Sequence, residues 1–427
     1  MKTRKLLILL LALLMLPAAA ITEDDNEDPA YPRLYYDGLS GNRAVIVSYY
    51  GKETDLAIPE KLNGRTVTGI AEKGFYVTEL ESVVLPDTIT TIGSEAFCRC
   101  EKLRSVRLPA KLRNLGGSAF CLSPALKEIV LPDSLQVIAD STFAYCGGLE
   151  SAVLPKKLTE IGAGAFFECS SLKEIAVPGS VEEIGEEAFS GCAALERVKL
   201  AKGIKTLGAS AFYACESLKE LTVPGSVKTV GELAFASCSA LESVKLEKGV
   251  TEIGGQAFAG CKSLKNLSLP AGLKTIGASA FQNCDSLESA VIPKDVAALE
   301  AYSFAQNPAL ASVTLNKGLK SIGEGAFYEC AALKDLTFPE GLESIGNNAF
   351  YDCTALTEAV IPEGVKSIGE DAFRGCSGLK SVILPESVTE IGDAAFADLG
   401  EDFRVIAVKD SAAEQYCRIL GIPFVNP

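Results

Sequence analysis

Apolar residues recur along this chain with a period much longer than that of a helix or a strand. Phenylalanine stands at 97, 120, 143, 166, 189, 212, 235, 258, 281, 304, 327, 350, 373 and 396, always 23 residues apart, and Phe75 leads the series one residue short. With each Phe as position 0, further apolar columns fall at position 6 (Leu103 to Leu379), 9 (Val106 to Val382), 11 (Leu108 to Leu384), 15 (Leu112 to Val388) and 18 (Leu115 to Ile391). A fixed period of this size marks a solenoid. One coil cannot bury its own apolar edge, so it stacks on its neighbours and stability resides in the interfaces between coils.

Within the unit, segments such as Ser105 to Pro109 alternate with period 2, which turns positions 9 and 11 inward and leaves 8 and 10 facing solvent. The pattern predicts a short parallel strand. Proline at position 12 (Pro109, Pro132, Pro155 and their equivalents) lacks the N–H that a ladder needs and ends it. Glycine at position 19 is expected to permit a turn with positive φ. The piece Gly-x-x-Ala-Phe is too short for a regular helix and predicts a single helical or 3-10 turn on the opposite side. At about 4.8 Å per strand the Phe series spans roughly 60 Å.

The ends depart from the repeat. Residues 1–20 have a basic start, an apolar run from Leu6 to Leu16 and the small residues Ala18, Ala19 and Ala20, so they are expected to be a signal peptide cleaved after about Ala20. Residues 21–34, with the acidic run Glu23 to Asp28, read as a flexible leader. Residues 35–74 read as an N-terminal cap with strands at Ala44–Tyr50 and Leu56–Pro59 and a tight turn at Asn63-Gly64. The repeat occupies 75–400. Residues 401–427 read as a C-terminal cap with a strand from Phe403 to Val408 and a helix opened by a capping box at Ser411–Glu414, its residues Tyr416, Ile419 and Leu420 covering the last coil.

The pattern L-x-x-V-x-L-P, the following I-G-x-x-A-F and a Cys three residues after the Phe resemble the BspA-like leucine-rich repeats of bacterial surface proteins, over residues 35–427. The resemblance implies an α/β solenoid, a right-handed superhelix of about 15 coils with short parallel strands. It also implies a secreted or cell-surface chain acting as an adhesin toward host matrix proteins or other microbes, without catalytic residues. Partners are then a protein or glycan ligand outside the cell. The alternative is a self-associating structural component of the envelope or extracellular matrix.

Charge and composition narrow the chemistry. The net charge of −15 becomes about −18 once Lys2, Arg4 and Lys5 leave with the signal peptide, which argues against nucleic acid as a partner. There is no His, so no imidazole-dependent nucleophile or His-ligated zinc exists here, and no enzyme, cofactor or metal site is indicated. The mature chain carries no expected transmembrane segment and is expected to be a monomer. Eleven of the 14 cysteines hold position 3, a column that also accepts Ser123 and Asn307, so a small buried side chain bonded to the turn backbone is expected there. Cys98 and Cys121, both at position 1 of adjacent coils, are candidates for a disulfide. Position 7 alternates in charge from Lys127 and Glu150 to Lys265 and Glu288, a ladder of opposite charges across strands. Candidate binding residues are the basic group Lys102, Arg104, Arg107, Lys111, Arg113 and Lys127, suited to an anionic partner, and the β-branched pairs Val130 with Val153 and Val360 with Ile383 on the outward strand face.

Overall fold

A computed structural model describes residues 26–427. The signal peptide expected at 1–20 and the first residues of the acidic leader lie outside them. The described chain is a β-solenoid of about 17 turns with a period of about 23 residues, in which the repeat coils are closed at both ends by caps.

Each coil has three sides, and at a regular junction each side hydrogen-bonds to the next coil. The first carries the strand at positions 8 to 10 or 11. Strands such as Glu128–Val130 and Ser151–Val153 pair in parallel register, and in Glu174–Val177 burial alternates as the period-2 pattern requires. The second side is a two-residue parallel ladder at positions 17 and 18, as in Val137–Ile138 against Glu160–Ile161. On the third side lies the turn around the Phe. There Ser210, Phe212 and Ala214 donate their N–H groups to the carbonyls of Glu232, Ala234 and Ala236 at 2.8, 2.8 and 2.9 Å.

Because every coil places its Phe at the same point, the rings form one buried column. Neighbouring rings lie face to face, with centroids 5.0 Å apart for Phe189 and Phe212 and 6.0 Å for Phe304 and Phe327. Such a pair contributes about 0.5–1.5 kcal/mol beyond its buried area.

The glycine at position 19 has a different task from the expected one. None of these glycines has positive φ. Instead they let coils approach closely: a Cβ on Gly208 would lie 2.5 Å from the Glu186 nitrogen and the Gly185 carbonyl carbon, and one on Gly254 2.8 Å from the Glu232 nitrogen. The left-handed residues fall at positions 21 and 2, where Ser210 and Ala214 both have φ 55. Most are not glycine, at a cost of roughly 1–2 kcal/mol each. The ladder of the third side holds them there. The turns are thus irregular and not helical, and the described α-helix is confined to the C-terminal cap.

At the N-terminus Asn26–Asp28 already forms a strand against Tyr31–Leu39, so the acidic run does not end as a free leader. The Asp28 carboxylate accepts from Ala30 N at 2.9 Å and Asn63 N at 2.7 Å, which explains why a charged residue is buried here. Asn63 and Gly64, with φ 45 and 78, turn Lys61–Leu62 back onto Arg65–Ile70. At the other end the helix Ala412–Leu420 starts at Ser411, whose Oγ accepts from Glu414 N at 3.3 Å, while Glu414 reaches back to Asp410 N. This helix buries Ala413 and Cys417 and leaves Ile419 and Leu420 80% and 53% exposed. The expectation that these two cover the last coil is therefore corrected; Tyr416 does reach it, edge-on to Phe396 at 6.2 Å. Phe424–Val425 then adds a final strand beside Arg404–Ala407.

Gly208→Ala is expected to destabilise the solenoid by about 1–3 kcal/mol in denaturant titration, because its Cβ overpacks against backbone. Gly272→Ala, whose Cβ would meet nothing within 4 Å, is the control and leaves the midpoint unchanged.

Candidate ligand-binding face

The outward residues of the first side, positions 7, 8 and 10, make up a continuous face along the stack. It is shallowly hollowed in two main places. One hollow of about 930 Å³ extends from Ser151 to Thr222 and is lined by Val153, Ala176, Arg197, Lys199 and Lys219 together with Glu174, Glu196 and Glu220. A second, of about 1100 Å³, extends from Ser312 to Val360 and is lined by Thr314, Thr337, Lys317, Lys334 and Phe338. Both are bordered by both signs of charge, and the second carries more hydroxyl groups, from Ser312, Thr314, Thr337 and Thr357.

The basic group is split by the fold. Lys102 and Arg104 pair with Glu79 and Glu81 of the preceding coil at 2.6 and 3.5 Å, and Lys127 pairs with Glu150 of the following one at 3.5 Å. Arg107 faces outward between Val84, its register partner, and Val130 of the next coil, and among the described residues it has no ion pair. Lys111 sits at the corner after Pro109, and Arg113 lies beyond it, next to the second ladder. Arg104 and Arg107 therefore share the face with the valines, while Lys111 and Arg113 do not. Val130 and Val153 are register partners and are 63% and 54% exposed; Val360 and Ile383 are register partners farther along. Val153 lines the first hollow and Val360 the second.

Of the position 7 ladder, Glu150 bridges Lys127 and Lys173, and the Lys173 bond at 3.0 Å holds the Glu150 carboxyl below its usual range. Row 8, which adds Glu174, Arg197 and Glu220 to the first hollow, was not singled out in the sequence although the same alternation points it outward. Each hollow gathers outward residues from several successive coils, so a single repeat carries no mark of it.

The cysteine column is structural, as expected. Each thiol donates to the carbonyl of the Phe one coil back, for example Cys146 to Phe120 at 3.0 Å and Cys261 to Phe235 at 3.3 Å. Ser123 and Asn307 make the same bond, to Phe97 at 3.0 Å and Phe281 at 2.9 Å. Burial pushes the Cys100 thiol up to about 11 and that of Cys146 to about 12. Cys98 and Cys121 are both free thiols; their mutual hydrogen bond and burial raise Cys98 far above the ordinary thiol range. Among the described residues no group of His, Cys, Asp and Glu is placed to hold a metal ion, and no helix is long and apolar enough to cross a membrane.

The model of the BspA type leucine rich repeat region matches residues 68–196, 182–311 and 298–411, which is most of the chain. The chain belongs to the BspA-type leucine-rich repeat family. No protein of curated function matches it. Among solved structures, a leucine-rich repeat protein from Bacteroides ovatus is 24% identical, covers 92% of this chain and 100% of its own, and superposes with a TM-score of 0.67. A leucine rich cell surface protein from Faecalibacterium prausnitzii is 24% identical over 93% of this chain and 98% of its own, with a TM-score of 0.38. As a BspA-type chain the protein is a leucine-rich repeat protein of the bacterial surface-protein type.

The thiol column generates a pH dependence. Folded thiols stay neutral while unfolded ones ionise near 9, so their stabilisation is complete below about 9 and is lost as pH rises toward 11–12. The denaturation midpoint is therefore expected to fall between pH 9 and 11. At pH 8 the native protein should react negligibly with Ellman's reagent, and the unfolded protein should release all 14 thiols; two fewer would mean that Cys98 and Cys121 are bonded.

Proposed function

We propose that this BspA-type chain is an exported, non-enzymatic interaction scaffold, an adhesin or ligand-binding surface protein that engages a protein or glycan outside the cell through its outward strand face. The observation that carries this reading is the outward face near the N-terminal end, where Arg107, with no ion pair among the described residues, is the register partner of the exposed Val84, and the exposed Val130 and Val153 follow on the next two coils. An arginine with exposed apolar side chains on the same face suits an anionic partner that also offers apolar contact. The acidic remainder of the chain repels anionic partners elsewhere and so confines the contact to this end. The apolar leader and the family both support export.

A second reading has its own observation. Ile419 and Leu420 project from the C-terminal helix beside the edge strand Phe424–Val425, a surface suited to a further copy of the chain in a self-associating envelope or matrix component.

Purified residues 21–427 are expected to bind saturably to at least one member of a panel of fibronectin, fibrinogen, laminin, mucin and sulfated glycans. The Arg104→Glu, Arg107→Glu double variant should lose at least about tenfold in affinity, the size expected when charged contacts worth about 1.4 kcal/mol or more are reversed. Absence of binding, together with oligomers in light scattering that Ile419→Glu disperses, would transfer support to self-association.

A further inference from the structure

Two junctions between coils differ from all the others. The first lies between the coils of Phe97 and Phe120, the second between those of Phe258 and Phe281. At the first, Ser105–Arg107 does not pair with Glu128–Val130, nor Asn114–Leu115 with Val137–Ile138. At the second, Asn266–Ser268 does not pair with Ser289–Val291, nor Thr275–Ile276 with Ala298–Leu299. Both strand ladders are broken at these junctions, and at the first only one long bond, from Lys127 N to Arg104 O at 3.4 Å, remains at the edge of the first side. A further interruption, between Asp335–Leu336 and Glu358–Val360, affects the first side alone, because the second-side ladder continues through Ser344–Ile345 and Ser367–Ile368.

The amides record the same loss. Thr159 and Gly162 donate across their junction at 2.7 and 2.8 Å, and Lys320 and Gly323 do so at 2.7 and 2.8 Å. Their counterparts Gln136 and Ala139 at the first junction, and Ala297 and Glu300 at the second, make none of these bonds. The third side stays closed throughout. Phe97 N donates to Ala119 O at 2.7 Å and Phe258 N to Ala280 O at 2.9 Å, and the ring pairs Phe97 with Phe120 and Phe258 with Phe281 stack at 5.2 and 5.4 Å.

The cause is in the sequence. From the coil of Phe97 to that of Phe373, position 19 is glycine except at Ala139 and Glu300, which belong to the two coils that stand off. A Cβ there points at the backbone of the coil below, as the 2.4 Å from Gly116 to Ser94 N and the 2.5 Å from Gly208 to Glu186 N show. Real Cβ atoms do not sit that close, so the coil backs away and its ladder bonds are lost. The coil that stands off at the first junction also carries Ser123-Pro124; the corresponding Asn307-Pro308 falls one coil beyond the second junction, where the ladders are closed.

We propose that the solenoid is three stiff blocks joined by two hinges, each hinge having the phenylalanine column as its closed edge and the strand face as its opening edge. Arg104 and Arg107 lie on the first block, the 930 Å³ hollow lies within the second and the 1100 Å³ hollow within the third. Opening or closing a hinge tilts these panels relative to one another and changes the curvature that a long ligand meets, without disturbing the interior of any panel. The hinges stand on backbone geometry and hold whether or not the outward face is the binding face.

Hydrogen exchange of the whole described chain tests this without a ligand. Peptides bearing Gln136 and Ala139, and those bearing Ala297 and Glu300, should exchange at least about tenfold faster than those bearing Thr159 and Gly162 or Lys320 and Gly323. The Ala139→Gly, Glu300→Gly variant should bring them to within about twofold of the regular coils and raise the denaturation midpoint, although glycine ordinarily lowers stability. Conversely, Gly208→Ala should create a new fast-exchanging site at Lys205 and Thr206, which now bond to Glu182 O at 2.8 and 3.2 Å. Uniform exchange across all coils in the natural chain would overturn the hinges. Fast exchange that persists in the double glycine variant would overturn the cause assigned to them.

Discussion

Coils stack in full register only where their backbones close to about 4.8 Å on three sides at once. Every strongly constrained column of the repeat answers that requirement. Phenylalanine fills the interior at a ring spacing of 5.0 to 6.0 Å, slightly more than the backbone repeat, so the rings stack along the column. Glycine at position 19 removes the one Cβ that would keep two backbones apart. The thiol at position 3 supplies a small buried donor to a Phe carbonyl.

Freedom is left where no neighbour intrudes. Positions 7, 8 and 10 point into solvent, so they tolerate Arg107, Val130, Glu174, Lys199 or Thr314 with equal structural ease. The outward face is consequently heterogeneous along its length while the scaffold beneath is nearly periodic. Its ion pairs are exposed and add little to stability. They tune the local potential and so decide which charge is welcome at each point on the face.

Most of the interior was legible because columns repeat. The Leu, Val and Phe positions, the proline stop and the cysteine row each announce themselves by recurrence, and Ser123 and Asn307 revealed the cysteine's task by replacing it. Other features were hidden for physical reasons. Two-residue strands at positions 17 and 18 have no period to detect. Left-handed residues at positions 21 and 2 range from Gly, Asn and Asp to Ser, Glu, Leu and Tyr, because the third-side ladder holds the conformation whatever the residue prefers. Glycine at position 19 looked like a turn residue, since a sequence does not distinguish a need for positive φ from a need for contact. Ile419 and Leu420 looked like cap residues because helical spacing says which side chains share a face but not which face meets the coil. On the outward face the individual residues were visible, whereas each hollow gathers residues from several successive coils.

The row of thiols has a consequence for how the chain is made. In the folded state each sulfur is neutral, enclosed and occupied with a carbonyl, so an oxidising medium finds nothing to attack. Before folding, the same chain offers many chemically equivalent sulfurs spaced evenly along it, with no preferred pairing. Any bond formed then would lock two coils into a register that the stack cannot use. Biogenesis is therefore a race between coil-by-coil propagation and thiol oxidation, and a repeat that propagates from any nucleated neighbour is well suited to win it.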